Sequence, residues 1–142
     1  MQVPLLRLSP ATAAPAYATP GSVGFDVSTA EAADIEPGAI ALVGTGLVIA
    51  TPPGWCLLVS LRSSTPRKFG VLQPHAIGVI DQDYCGPEDE LRLQLLNFTH
   101  APAHVPAGSR IAQGVFVRTE RAAWTEHDPA HLSRGGFGST GH

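Results

Sequence analysis

Lysine is nearly absent from this chain: of nine basic residues in 142, only Lys68 is a lysine. Charged residues of both signs make up 15%, and the net charge is −3. So acidic a balance excludes a nucleic-acid coat, which needs a strongly basic face to displace counterions. Cysteine is scarce too. Cys56 and Cys85 form neither a CxxC pair nor a disulfide framework, so reduced thiols and a cytoplasmic location are expected. No apolar run is long enough to span a bilayer: the longest, residues 40–50, is broken by Gly44 and Gly46. The first residues offer one basic side chain, Arg7, and no apolar core of signal-peptide length. The six histidines (75, 100, 104, 127, 131 and 142) lack metal-ligand spacing and read as surface or turn residues. His75 is a candidate for contact with a ligand's base edge, because it stands close to the segment described next.

Glycine and proline are abundant, at 15 and 13 residues, in a chain that is 44% hydrophobic. One domain of this length buries roughly two-thirds of its unfolded surface. So many turn formers favour short strands over long helices. Strands are predicted over residues 3–8, 24–28, 40–51 (bent at Gly44 or Gly46), 55–61, 90–96 and 111–118. Turns are predicted at Pro20-Gly21, Pro37-Gly38, Pro53-Gly54 and Pro106-Ala107-Gly108. The clearest period belongs to residues 90–96, where Leu91, Leu93 and Leu95 alternate with Arg92 and Gln94. A short helical turn is expected near residues 66–69. The sum is an all-β sandwich or barrel.

The most informative stretch is GVIDQDYCG, residues 78–86. Val79 and Ile80 are strand formers, and Gly78 and Gly86 let a ligand approach the backbone. Asp81 and Tyr84 then follow from what reads as a tight hairpin turn. A carboxylate three residues before an aromatic ring can hold a water and offer a flat surface to a small molecule. An ordinary hairpin with a solvated aspartate explains the same nine residues equally well.

From Glu120 onward the chain turns polar and ends in SRGGFGSTGH, residues 133–142. Such a segment cannot pack a core, so it is either a frayed terminus or an arm that orders over a ligand. In an arm, backbone amides could cradle phosphate oxygens and Phe137 could stack on a base.

Five segments stand in order: GSVGFDV at 21–27, Arg62-Ser63-Ser64, GVIDQDYCG at 78–86, GSRIAQ at 108–113, and GFGSTG at 136–141 preceded by Arg134. Together, over roughly residues 20–141, they resemble the five motifs of the trimeric dUTPases. The resemblance implies a distorted jelly-roll β-barrel over residues 1–119. It also implies a flexible glycine-rich arm, 120–142, that closes the site of a neighbouring subunit in a homotrimer. The implied activity is Mg²⁺-dependent hydrolysis of dUTP at the α-phosphorus to dUMP and pyrophosphate, lowering dUTP and supplying dUMP for thymidylate synthesis. No nucleic-acid or membrane partner is implied.

The same resemblance assigns roles. Asp81 matches the water-activating carboxylate, and Tyr84 matches the ring that packs on the deoxyribose and excludes a 2′-hydroxyl. Arg62, Ser63 and Ser64 match the phosphate-binding motif. Asp26 matches an acid that helps hold the metal through its water shell, and Gln113 matches a glutamine near the α-phosphate. Gly78 and Ile80 lie in the segment that reads uracil through its backbone. Phe137 would cover the base and Ser139 and Thr140 would bind the γ-phosphate, with Arg134 and Gly138 as further substrate contacts of the arm.

Departures from the pattern are local. Residues 65–71 replace the usual continuation of the second motif, and Cys85 stands where arginine is common. Pro87-Glu88-Asp89 reads as a short insertion with no family role, and the spacing from Arg134 to Phe137 is short. A non-catalytic nucleotide-binding or regulatory module is the alternative, which retention of Asp81 and the arm motif disfavours. A deaminase acting on dCTP would need a glutamate where this chain has Gln94, which cannot act as that base.

Overall fold

A computed structural model describes residues 1–126, and within them the chain is almost entirely β. The strands are β1 (Leu5–Arg7), β2 (Ala16–Tyr17), β3 (Phe25–Ser28), β4 (Ala33–Ile35), β5 (Ile40–Gly44), β6 (Leu47–Ile49), β7 (Trp55–Leu61), β8 (Val71–Leu72), β9 (Gly78–Ile80), β10 (Arg92–Asn97), β11 (Ala103–Val105) and β12 (Arg110–Arg118). One short helix, α1 (Thr65–Phe69), lies between β7 and β8. The largest sheet runs β2-β3-β12-β7-β9, beside β5-β10-β8 and the pairs β1-β6 and β4-β11.

The pairings nest. Val27 faces Ala112, Asp34 faces His104, Leu42 faces Gln94 and Val59 faces Gly78, all antiparallel about one midpoint near α1. The chain is thus a single long hairpin rolled up on itself, with β7 also packed against β12 to close the roll. The inward residues form one core, including Val27, Leu57, Val59, Leu95, Val105 and Ile111. Each such side chain contributes about 1.5–3 kcal/mol on burial.

The alternation read from residues 90–96 holds, since Leu91, Leu93 and Leu95 are buried while Arg92 and Gln94 are exposed. The ladder with β5 begins at Arg92, while Leu91 bonds to the β5–β6 junction, donating to the Leu47 carbonyl at 2.8 Å, and Glu90 has another task. Its Oε1 accepts from the Gly46 amide at 2.7 Å, and its Oε2 lies 3.0 Å from Arg92 Nε. That carboxylate braces the break between β5 and β6, which the sequence reads as one bent strand. A Cβ on Gly44 would stand 2.6 Å from Glu90 Oε1, so the brace needs glycine there. The helical turn forms with Gly70 as its left-handed cap, φ +68, and Thr65 Oγ1 donates to the Ile111 carbonyl at 2.7 Å.

One expectation changes. Residues 78–80 do form a strand, but it does not make a hairpin with the strand that follows. β9 pairs instead with β7 at the edge of the large sheet, and β10 joins a different sheet. The segment between them, residues 81–91, is a loop of turns.

Candidate active site

A polar row crosses the large sheet. Asp26 on β3 faces Gln113 on β12, which faces Ser60 on β7. Directly opposed residues project from the same face, so these three form one line, while Phe25 and Val27 point to the core. Two guanidinium groups close on Asp26: Arg62 Nε lies 3.4 Å from Oδ1 and Arg110 Nη1 lies 3.2 Å from Oδ2. The strand order explains both. Arg62 leaves the end of β7, its amide held by the Ile111 carbonyl at 2.8 Å. Arg110 opens β12, where a register shift between Arg110 and Ala112 marks a bulge that bends the strand. Ser63 and Ser64 follow Arg62 and are exposed, and the Ser64 hydroxyl makes no capping bond to α1.

Asp81 lies elsewhere. It leaves the end of β9 into a cleft of about 540 Å³ lined by Trp55, Cys56, Val79, Gln82 and Arg121 among others. Gln82 Nε2 donates to the Trp55 carbonyl at 3.1 Å, which pins the turn to β7. The Tyr84 hydroxyl donates to the Glu90 carbonyl at 3.0 Å, which orients a ring that stays 41% exposed. Asp89 receives the Gly86 amide at 2.7 Å. The insertion at residues 87–89 therefore has a structural task in fixing the turn after Tyr84. Asp81 itself has no hydrogen-bond or ion-pair partner among the described residues.

These two groups do not meet within one chain. The β7–β9 register sets the Asp26–Gln113–Ser60 row level with residue 77. Asp81 is four residues further along and three strands across from Asp26, roughly 20 Å at ~3.3 Å per residue and ~4.8 Å per strand.

Gly78 and Ile80 sit on β9 as expected, but the Ile80 side chain packs against the core, leaving only its main chain for a ligand. A Cβ at Gly78 would meet nothing closer than 3.6 Å, so the fold itself does not demand glycine there. Arg134, Phe137, Gly138, Ser139 and Thr140 lie outside the described residues. Arg110 was not singled out from the sequence, and only the GSRIAQ segment containing it signalled its place. Gln94 is exposed on β10, facing Leu42 in the other sheet.

No group of three or more His, Cys, Asp or Glu side chains able to hold a metal occurs among the described residues. Asp26 already faces two cations, which disfavours a bare divalent ion beside it. A carboxylate offers about four lone-pair sites, so Asp26 can still accept from the water shell of an ion carried on phosphates. The residues fit a hydrated ion delivered with a polyphosphate and do not fit a protein cage.

The sequence profile of the dUTPase family matches residues 11–141. The deoxyuridine 5′-triphosphate nucleotidohydrolase of Thermobifida fusca is 41% identical over 145 residues, covering 99% of this chain and 79% of that protein. A dUTPase from Streptococcus mutans superposes with a TM-score of 0.79 at 32% identity, over 87% of this chain and 100% of the other. The dUTPase of Staphylococcus bacteriophage 80alpha, solved with dUPNHPP, has a TM-score of 0.86 over 99% of both chains; at 22% identity this likeness speaks to the fold alone.

Proposed function

The chain belongs to the dUTPase family, with its jelly-roll fold, and hydrolyses dUTP to dUMP and pyrophosphate; we propose that it does so in sites shared between copies of the chain. The observation that carries this reading is the separation just described. Asp81 is an exposed carboxylate in a cleft with no partner among the described residues, and the Asp26 corner, with the arginines suited to phosphate, stands about 20 Å away on the same sheet. A homotrimer unites them by setting the Asp81 cleft of one copy against the Arg62 corner of another. The arm, residues 120–142, then closes the site from a neighbouring copy.

In such a site the Asp81 carboxylate takes a proton from water as the water oxygen attacks the α-phosphorus. The bond from that phosphorus to the bridging oxygen breaks, and pyrophosphate leaves. Arg62 with Ser63 and Ser64 neutralises the triphosphate, and Gln113 orients the α-phosphate and the water. Asp26 would accept hydrogen bonds from the water shell of a Mg²⁺ carried by the substrate, and such an ion would add neutralisation of the leaving group. Tyr84 packs on the deoxyribose and excludes a 2′-hydroxyl. Gly78 and Ile80 offer main-chain groups to uracil. Phe137 covers the base and Ser139 and Thr140 bind the γ-phosphate, with Arg134 and Gly138 as further substrate contacts of the arm. Both cysteines are free, as a reducing cytoplasm would keep them, and no described helix is long and apolar enough to cross a membrane.

The test is pyrophosphate release from dUTP, dCTP, dTTP and UTP by the wild type and Asp81→Asn. Release from dUTP alone, reduced about 10²–10⁴-fold in the variant, is expected from loss of a general base. Tight dUTP binding with no release from either protein would leave a binding module and end the hydrolytic reading.

A further inference from the structure

The five residues before β9 carry an arrangement that the mechanism above does not use. The Gln73 side-chain nitrogen lies 2.9 Å from His75 Nε2 and 3.4 Å from the Val59 carbonyl. A carbonyl accepts only, so the Gln73 amide nitrogen faces Val59 and donates to both partners. His75 Nε2 is then an acceptor, and the ring is neutral with its proton on Nδ1. Gln73 Oε1 is left buried with no partner among the described residues. Next to this pair, Ala76 has φ +64, the only non-glycine positive φ among the described residues. The Ile77 amide donates to the His75 carbonyl at 2.7 Å, closing a three-residue turn around Ala76. A strained residue and an unpaired buried oxygen persist only where the surroundings over-determine them, and such features gather at ligand clamps.

We propose that Gln73 and His75 form a clasp holding the 73–77 turn in its base-binding conformation only while His75 is neutral, which makes His75 a positioning residue for dUTP. The inference rests on the reading that the segment leading into Asp81 carries the base. Protonated His75 has donors at both ring nitrogens and no lone pair for Gln73. Rotating the Gln73 amide would then pair Oε1 with the imidazolium but set that oxygen against the Val59 carbonyl. Neither arrangement satisfies the turn, so acid loosens it and the adjoining Gly78. The charged groups on the surrounding elements are Arg62 beyond β7, Arg67 and Lys68 on α1, and Asp81 beyond β9. None bonds to His75.

The experiment compares wild type with His75→Asn, whose Oδ1 accepts from Gln73 but gains no proton. KM for dUTP, kcat, and Kd for dUMP by calorimetry are measured at about pH 8 and about pH 5.5. Ionisation of the nucleotide affects both proteins alike and cancels in the ratio between them. The wild type is expected to lose about three- to tenfold more affinity on acidification than His75→Asn, the share of one hydrogen bond, with the two kcat ratios equal. Gln73→Glu should reverse the trend, because a carboxylate accepts from the imidazolium. Equal KM and Kd ratios in wild type and His75→Asn would overturn the clasp. A split in dUMP affinity without any dUTP hydrolysis would sustain the clasp and end the hydrolase reading. Failure to bind either nucleotide would end both.

Discussion

Arg62 reaches Asp26 across an intervening strand, with Nε 3.4 Å from Oδ1, so two segments 36 positions apart in the chain share one charge cluster. Arg110 completes it from the strand between them. A lone carboxylate under two guanidinium groups leaves net positive charge on that corner, which suits a triphosphate. It also makes Asp26 the pivot that keeps both arginines in place.

Replacing Asp26 with Asn should therefore cost little stability and much activity. Both arginines are partly exposed, so loss of the pairs is worth about 1 kcal/mol or less in urea unfolding. Turnover at limiting Mg²⁺ should fall about tenfold or more and recover in part as Mg²⁺ is raised, because the lost group only orients the ion's water shell. A Mg²⁺ dependence identical to wild type would remove Asp26 from that role.

Tyr84 allows the sugar block and the hydroxyl anchor to be separated. Tyr84→Ala should raise the kcat/KM ratio of UTP to dUTP by about 10- to 100-fold, the scale on which a pocket rejects one added group. Tyr84→Phe keeps the ring, loses the bond to the Glu90 carbonyl, and should discriminate as wild type does while losing about 0.5–1.5 kcal/mol of stability. Equal discrimination by all three proteins would take the block away from this ring.

Gly114 offers a stability control on the core face of β12, opposite the face on which its neighbour Gln113 stands. A Cβ there would sit 2.6 Å from Phe25 Cε2 and 3.0 Å from Leu57 Cδ1, between two core side chains. Gly114→Ala is expected to destabilise by about 1–3 kcal/mol in denaturant unfolding, as overpacking does. Its activity well below the unfolding midpoint should stay near wild type.

Removal of residues 133–142 should leave stability almost untouched, since the described residues alone build a core that runs from Phe25 to Ala112. Turnover of dUTP should fall by at least about a hundredfold, the scale on which losing a closing segment misplaces a bound substrate. Unchanged turnover would make the tail dispensable.

How far the sequence could be read follows from the range of the forces involved. The strand at β10 was legible because Leu91, Leu93 and Leu95 alternate over enough residues to show a period. β2, β4, β8 and β11 are two or three residues long and show none. The partner of β9 was misread because its pairing with β7 belongs to the long hairpin folded about α1, not to the nearest following strand. Asp81, Tyr84 and Arg62 stood out through motif spacing. The roughly 20 Å between Asp81 and the Asp26 corner did not, because it depends on sheet order. The brace from Glu90 to Gly46 was hidden behind a pattern in which Glu90 looked like the first residue of a strand.

The most direct measurement is complementation between two disabled chains. Asp81→Asn and Arg62→Gln are each purified alone, then produced together so that mixed assemblies form. If Asp81 and Arg62 of different copies build each site, the mixture should recover up to about a quarter of wild-type turnover, the fraction of sites that draw both intact residues in a random homo-oligomer. If both residues served a site within one chain, the mixture would be no more active than the sum of the two variants, and the shared site would be contradicted.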